Sequence, residues 1–391
     1  MRVRLSAALL LLLAGNLLQA QPFGPVPWPK PLPPVPDTAT LVFIGDVMMH
    51  RDQIANARRA DGTYDFSSYF SLLEGPLREA DLAVANMEFT LGGQPYTGYP
   101  CFSAPDGYAD YVADCGVDIF LTANNHILDK GKAGLERTLG IYARMERECG
   151  IRYTGTAPDA REDTIRNPLI VDVKGIRIAL VNFTYGTNLG LAEPWPKVWR
   201  TDTAALRALI GRARKTSADF IVALPHWGTE YVLTHSEPQR QLARWLAEQG
   251  CDAVIGSHPH VVQDIETFVL PNDNGIGTRT VPVVYSLGNA ISNMSAVNTR
   301  VGLLLTLRIV TDASGKRRML PPEPTYTWCA RPGTLTPSYC SVPIREYSGK
   351  KDAWKIGSDY DNMMTSFERV QAKTGVRDAS APHTQHSARQ P

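Results

Sequence analysis

Several common catalytic signatures are missing from this chain. No Gly-x-Ser-x-Gly elbow occurs, which disfavours α/β-hydrolase chemistry. No Walker-A loop occurs, so ATP-driven ligation by that route is excluded. No Gly-x-Gly-x-x-Gly opens a helix after a strand, and there is no His-Glu-x-x-His. Net charge is nearly absent too, since 40 Lys and Arg against 39 Asp and Glu leave +1. That balance argues against a nucleic-acid surface and gives a polyanion little long-range steering. An anionic substrate would have to be held by local groups. Beyond the N-terminus no stretch is apolar for long enough to cross a membrane. Hydrophobic content of 43% and charged content of 20% are ordinary for a globular enzyme.

The N-terminus reads as a targeting segment. Arg2 and Arg4 form a basic n-region, Leu5 to Leu18 is apolar, and Ala20 precedes a cut expected at Gln21. The apolar stretch is interrupted by Asn16 and is short for a span of about 20 residues. Residues 1–20 are therefore expected to be a signal peptide, and the mature protein to be exported, periplasmic or extracellular. Export permits disulfides. None of the six cysteines has zinc-finger spacing. Cys329–Cys340 is the first expectation for a bridge and Cys101–Cys115 the second, while Cys251 reads as a buried thiol.

Residues 21–37 form a proline-rich linker, expected to be extended. The body, 38–310, alternates strand-like and helical stretches, which indicates an α/β fold. Strands are expected at 41–45, 82–86, 117–123, 219–224, 252–256, 261–269, 281–287 and 300–310, with paired strands around Lys174-Gly175. Residues 311–373 read as an extension packed on the body, and 374–391 as a disordered tail.

The strand ends carry the chemistry. Leu41-Val-Phe-Ile-Gly45 ends in Asp46, with His50 four residues on. Leu82-Ala-Val-Ala ends in Asn86-Met-Glu88. Val117-Asp-Ile-Phe-Leu-Thr-Ala leads to Asn124-Asn125-His126. Phe220-Ile-Val-Ala-Leu leads to His226-Trp-Gly-Thr-Glu230, and Ala253-Val-Ile leads to Gly256-Ser-His258-Pro-His260. One polar strand end is an ordinary cap or turn residue. Five in series are hard to attribute to capping. Ligand sites of open α/β sheets lie at the carboxyl ends of strands, so one sheet edge is expected to gather these groups. Carboxylates, an Asn carbonyl and imidazoles together make the ligand field of a hydrolytic metal centre. In His258-Pro-His260, alternation along an extended segment would put both rings on one side.

This ordered set, completed by Ser286-Leu-Gly-Asn289, resembles the CapA/PgsA family of poly-γ-glutamate capsule synthesis proteins. That family in turn is similar to the calcineurin-like metallophosphoesterases. The resemblance covers roughly residues 38–308. It implies a four-layer α/β/β/α sandwich and one or two divalent ions, among which Mn, Zn, Fe and Mg are not distinguished. It implies Asp46, Glu88, Asn125, His226, His258 and His260 as metal ligands and His126 as the general acid. Asn86, Glu230 and Asn289 would contact substrate or support the ligands. The pattern also departs from the metallophosphoesterases. Asp46-Val-Met lacks the His expected two residues after the Asp, so His50 is a candidate to replace it or to bind a substrate anion. The second carboxylate stands in Asn86-x-Glu88, and a mononuclear site remains open.

Two functions compete on these grounds. One is a metal-dependent, phosphoesterase-like hydrolase in which activated water attacks phosphorus or an amide carbon of an envelope or capsule polymer. The other is a non-catalytic factor that binds or exports poly-γ-glutamate and keeps the metal site. Capsule-synthesis membrane proteins are the expected partners, and nucleic acid is not.

Overall fold

Strand β1 (Asp37–Val47) presents two apolar faces to two different cores. Ala39, Leu41 and Phe43 enter one, while Val42 and Ile44 enter the other. Such alternation requires a layer on each side of the sheet. The computed structural model describes residues 37–272 and 276–379. The expected signal peptide, the linker as far as residue 36 and the tail from residue 380 lie outside the described residues.

The first part of the chain alternates strand and helix. After β1 come α1 (Arg51–Ala57), α2 (Glu74–Glu79), β2 (Leu82–Met87), α3 (Gly107–Asp114), β3 (Ile119–Leu121), α4 (Gly131–Cys149) and β4 (Arg152–Thr154). Strands β1 to β4 run parallel. A short β5 (Thr156–Ala157) and α5 (Ala160–Arg166) lead to the hairpin of β6 (Leu169–Val173) and β7 (Ile176–Thr184). Its turn is Lys174-Gly175, with φ of 52° and 76°, as a tight two-residue hairpin requires. Then follow β8 (Lys197–Val198), α6 (Thr203–Lys215), β9 (Phe220–His226), α7 (Glu237–Glu248), β10 (Ala253–Ile255), β11 (Ile265–Pro271) and β12 (Thr278–Val284). The chain continues through β13 (Asn289–Ile291), β14 (Val301–Thr311), β15 (Arg317–Met319), β16 (Glu323–Ala330), β17 (Cys340–Pro343), α8 (Ile344–Tyr347) and α9 (Gly357–Thr374).

Two large sheets result. One has the order β17-β16-β14-β1-β2-β3-β4, with β13 beside β1 and β15 beside β14. The other has the order β11-β12-β10-β9-β7-β6. Ile178 and Leu180 of β7 meet Leu41 and Phe43 of β1 in a shared core, so the sheets pack face to face. The outer face of the first sheet is covered by α1 to α4. Ala179, Val181 and Phe183 of β7 face α6 and α7 on the other side. The layers are α/β/β/α, as the resemblance implied. Among the described residues no helix is long and apolar enough to cross a membrane.

Some boundaries differ from expectation for local reasons. Helix α5 precedes the paired strands expected around Lys174-Gly175, and its signal was Asp159-x-x-Glu162, where the Asp159 side chain caps the Glu162 N–H. Strand β3 stops at Leu121 because Asn182 Oδ1 accepts the Thr122 and Ala123 N–H groups. Residues 261–264, expected in a strand, belong to a loop that precedes β11. Within 311–373, β16 and β17 extend the first sheet, and Met363, Phe367 and Val370 of α9 enter the shared core. Helix α9 runs to Thr374, and Val376 and Asp378 are buried, so the packed chain extends past the expected start of the tail.

All six thiols are free. Cys329 is paired with Ser341 and Cys340 with Ala330 across β16 and β17. That one-residue offset sends the two sulfurs to opposite faces of the sheet, which overturns the Cys329–Cys340 expectation. Cys101 is exposed and Cys115 buried, and they too are unbonded.

Candidate metal centre

The polar groups gather across the ends of both sheets rather than along one edge. Asp46 ends β1, Asn86 and Glu88 end β2, and Asn125 and His126 follow β3. His226 is the last residue of β9, and His258 and His260 follow β10. Asn182, near the end of β7, stitches the sheets together: its Oδ1 accepts from Thr122 and Ala123, and its Nδ2 donates to Leu224 O at 2.8 Å. Gly45 permits the close approach of the 286–289 turn. A Cβ there would stand 1.9 Å from Gly288 O, and the Asp46 N–H donates to that same oxygen at 3.0 Å. The two histidine motifs are tied by backbone, with Trp227 N–H donating to Ser257 O and Tyr231 N–H to Pro259 O.

Three groups of side chains could each hold an ion: Glu88 with His226 and His258, Asp46 with Glu88 and His260, and Glu230 with His258 and His260. The ring centroids of His226 and His258 are 4.7 Å apart, and those of His258 and His260 5.8 Å apart. Glu88 belongs to two groups. Its Oε1 lies 3.5 Å from His226 Nε2 and 3.7 Å from His260 Nε2. Asp46, Glu88 and His226 have no solvent exposure, and His258 and His260 are nearly as buried.

His258 and His260 converge, although not by strand alternation. Their φ angles are 100° and 57°, left-handed values that cost a side-chain-bearing residue on the order of 1–3 kcal/mol. The surroundings hold the loop in place. The His258 N–H donates to Asp46 Oδ2 at 3.3 Å, and Asn289 Nδ2 donates to His260 O at 3.3 Å. Asn289 Oδ1 also sits 3.0 Å from His260 Nδ1. Asn289 is fully buried, and its side chain holds His260 at both the ring and the backbone. Asn86 is also an orienting group, with Nδ2 donating to Asp46 Oδ1 at 2.7 Å.

The donor set fits divalent ions. Two buried carboxylates face imidazoles, and among the described residues no Lys or Arg reaches Asp46 or Glu88 within ion-pair distance. Burial, followed by repulsion from Asp46, holds the Glu88 carboxyl well above the usual range. Burial and then the neighbouring imidazoles push His226 well below its usual value, and His258 falls to about 3. Burial also pulls His260 down, but the Asp46 carboxylate beside Nδ1 outweighs it and the net shift is upward. Glu88 Oε1 and His258 Nδ1 are buried without hydrogen-bond partners. Buried polar atoms are ordinarily paired, so these two orphans, aimed into a cluster short of positive charge, fit metal coordination. Mixed oxygen and imidazole donors without thiolate suit Zn, Mn or Fe.

Asn125 joins the cluster through its Oδ1, 2.9 Å from His226 Nε2. His50 does not enter any of the three ligand groups. Its Nδ1 lies 3.1 Å from Gln53 Oε1 and 3.2 Å from the Asn293 backbone nitrogen. Burial lowers it to about 4. His50 is a neutral group at the start of α1, outside those groups. Glu230 is grouped with His258 and His260.

Two contributors escaped the sequence reading. Asp129 Oδ2 stands 2.7 Å from His126 Nδ1 and accepts the Phe102 N–H at 2.8 Å. Its signal was the His126-x-x-Asp129 spacing. Tyr185 is half exposed, with its ring 4.6 Å from that of His258. It follows β7, a strand whose end was not read as part of the site.

The family described as "Bacterial capsule synthesis protein PGA_cap" matches residues 40–294, which include Asp46, Glu88, His126, His226, His258, His260 and Asn289. This chain belongs to that family. It is 28% identical over 299 residues to the PGA biosynthesis protein CapA of Bacillus subtilis, covering 73% of this chain and 71% of that protein. It is 26% identical over 279 residues to the capsule biosynthesis protein CapA of Bacillus anthracis, covering 68% of this chain and 62% of that protein. Among solved structures it is similar to the 5'-nucleotidase precursor of Thermus thermophilus, with 16% identity, a TM-score of 0.43, and coverage of 86% of this chain and 59% of that one. The NAD nucleotidase of Haemophilus influenzae gives 12% identity, a TM-score of 0.43, and coverage of 86% and 61%. At such identities and coverage the activities of those two enzymes remain their own.

Proposed function

We propose that this capsule-family protein is an exported, metal-dependent hydrolase whose substrate is the poly-γ-glutamate polymer. The observation that carries the reading is the position of Glu88, shared between the His226/His258 group and the Asp46/His260 group, with Oε1 unpartnered. A shared carboxylate suits two neighbouring ions. Divalent ions bound there supply Lewis acidity and a nucleophile at neutral pH.

The protein's own groups have separable tasks. Asp46 and Asn289 hold His260 in orientation from its Nδ1 side. Ser257 Oγ, 3.1 Å from Nδ1, orients His226 so that Nε2 faces Glu88 and Asn125. His126, backed by Asp129, is the proton donor. Water oxygen bonds to the amide carbon as its proton passes to His126 Nε2; the C–N bond then breaks, and His126 hands that proton to the departing nitrogen. The exposed edge of Tyr185 shields the imidazoles from bulk water. Export rests on the sequence of residues 1–20, and the similarity to the PGA biosynthesis protein of Bacillus subtilis supports the polymer.

The test is to purify the exported chain, measure its metal content and offer it γ-glutamyl oligomers and phosphodiesters in parallel. Cleavage of the oligomers that stops on chelation and returns with metal supports the proposal. Cleavage of phosphodiesters alone would replace the substrate, and a loaded protein that cleaves neither would be a binding or export factor.

A further inference from the structure

We propose a second polymer-binding site beside the metal centre: the cleft between α1 and the 94–96 segment holds pendant carboxylates of an anionic chain through Arg51 and Arg58. The proposal rests on the polymer reading above and adds how the polymer is gripped. The cleft is a cavity of about 380 Å³ lined by Arg51, Ile54, Arg58, Tyr64, Gln94 and Tyr96, among others. Arg51, Ile54 and Arg58 fall at i, i+3 and i+7, which places them on one side of α1 and its C-cap.

The charges in this cleft are unspent. Among the described residues neither Arg51 nor Arg58 has a carboxylate within ion-pair distance, and no carboxylate lines the cavity. The neighbouring charges are committed elsewhere: Arg59 pairs with Asp65 at 2.8 Å, and Asp52 accepts from Asn293 at 2.9 Å. Two aromatic walls fix the shape. The Tyr64 and Tyr96 rings meet edge to face at 5.7 Å, and Tyr64 stacks on Phe66 at 6.2 Å. Guanidinium groups bind carboxylates through paired N–H donors, and aromatic faces take the methylenes between them.

The metal centre needs such a partner. Its own acidic groups, Asp46, Glu88, Asp129 and Glu230, offset the charge of bound ions, and a chain of net charge +1 does little to steer a polyanion in. The cleft is also close. Arg51 directly follows His50, whose ring meets Phe102 edge-on at 5.2 Å, and Phe102 meets His126 at 4.6 Å. Tyr99, 75% exposed, lies 6.5 Å from Phe102 on the same loop. A polymer laid over Tyr99 reaches the cleft while another of its units occupies the metal centre.

Calorimetric titration of the full chain with a short poly-γ-glutamate oligomer tests this. The double variant Arg51→Gln/Arg58→Gln should bind about tenfold more weakly or worse, given two lost charge contacts, with unchanged metal content and melting temperature. Arg51→Lys/Arg58→Lys should recover most of the affinity, and the salt dependence should be shallower only in the Gln variant. If the Gln variant binds as wild type does, the cleft is not a polymer site and the hydrolase reading stands. If wild type itself does not bind the oligomer, the polymer reading fails and the cleft proposal with it.

Discussion

His126 Nδ1 lies 2.7 Å from Asp129 Oδ2, and both side chains are almost fully buried. The carboxylate accepts a hydrogen bond from Nδ1–H and leaves Nε2 as the working nitrogen, as a His in acid–base chemistry requires. Asn188 Nδ2, at 3.2 Å from the same Nδ1, is the weaker contact. His126→Ala should keep metal and fold yet lose roughly 10²–10⁴-fold in kcat. Asp129→Asn should lose about tenfold or more in kcat through the wrong tautomer, with KM little changed and an altered pH–rate profile. A purely structural Asp129 would lower the melting temperature and leave that profile alone.

His258 offers an unpartnered nitrogen and belongs to two of the three ligand groups. His258→Ala should therefore lose bound metal and activity together, as read by elemental analysis. Were His126→Ala to empty the site and His258→Ala to retain metal, the two assignments would be exchanged.

Much of this was legible from the chain. Apolar runs ending in Asp46, Asn86, Asn125, His226 and His258 marked the strand ends, because buried parallel strands read as continuous hydrophobic segments. The rest depended on tertiary context. The left-handed φ angles of His258 and His260 are imposed by contacts to Asp46 and Asn289, which local propensity does not encode. Strand β16 begins Glu323-Pro324, and a proline there obscures a strand that antiparallel pairing with β14 stabilises. His50 shares no ligand group with Asp46 because it sits at the entrance of α1 beside Gln53.

Gly45 is a backbone requirement of the site. Gly45→Ala would drive Cβ to 1.9 Å from Gly288 O, so β1 and the 286–289 turn must separate. A loss of more than about 2 kcal/mol is expected, measured by denaturant unfolding, together with weaker metal binding as Asp46 moves.

His50 gives a pH dependence with a definite sign. Burial lowers it in the folded protein from 6.5 to about 4, partly offset by Gln53 and reinforced by His260 and His126. The unfolded chain takes up the proton first, so this contribution is fully present above pH 6.5 and is lost as pH falls through about 4. It amounts to a few kcal/mol at most. His50→Asn, which keeps an acceptable N-cap residue, should flatten the loss of stability between those pH values in equilibrium unfolding.

The central claim is that Glu88 joins two ion sites. The most direct measurement is metal stoichiometry after equilibrium dialysis against Mn or Zn, for wild type, Glu88→Gln and His226→Ala. The account predicts two ions per chain in wild type, one in His226→Ala and neither tightly held in Glu88→Gln, with all three folded. A wild-type chain that binds no metal, or a Glu88→Gln chain that retains the full complement, would contradict it.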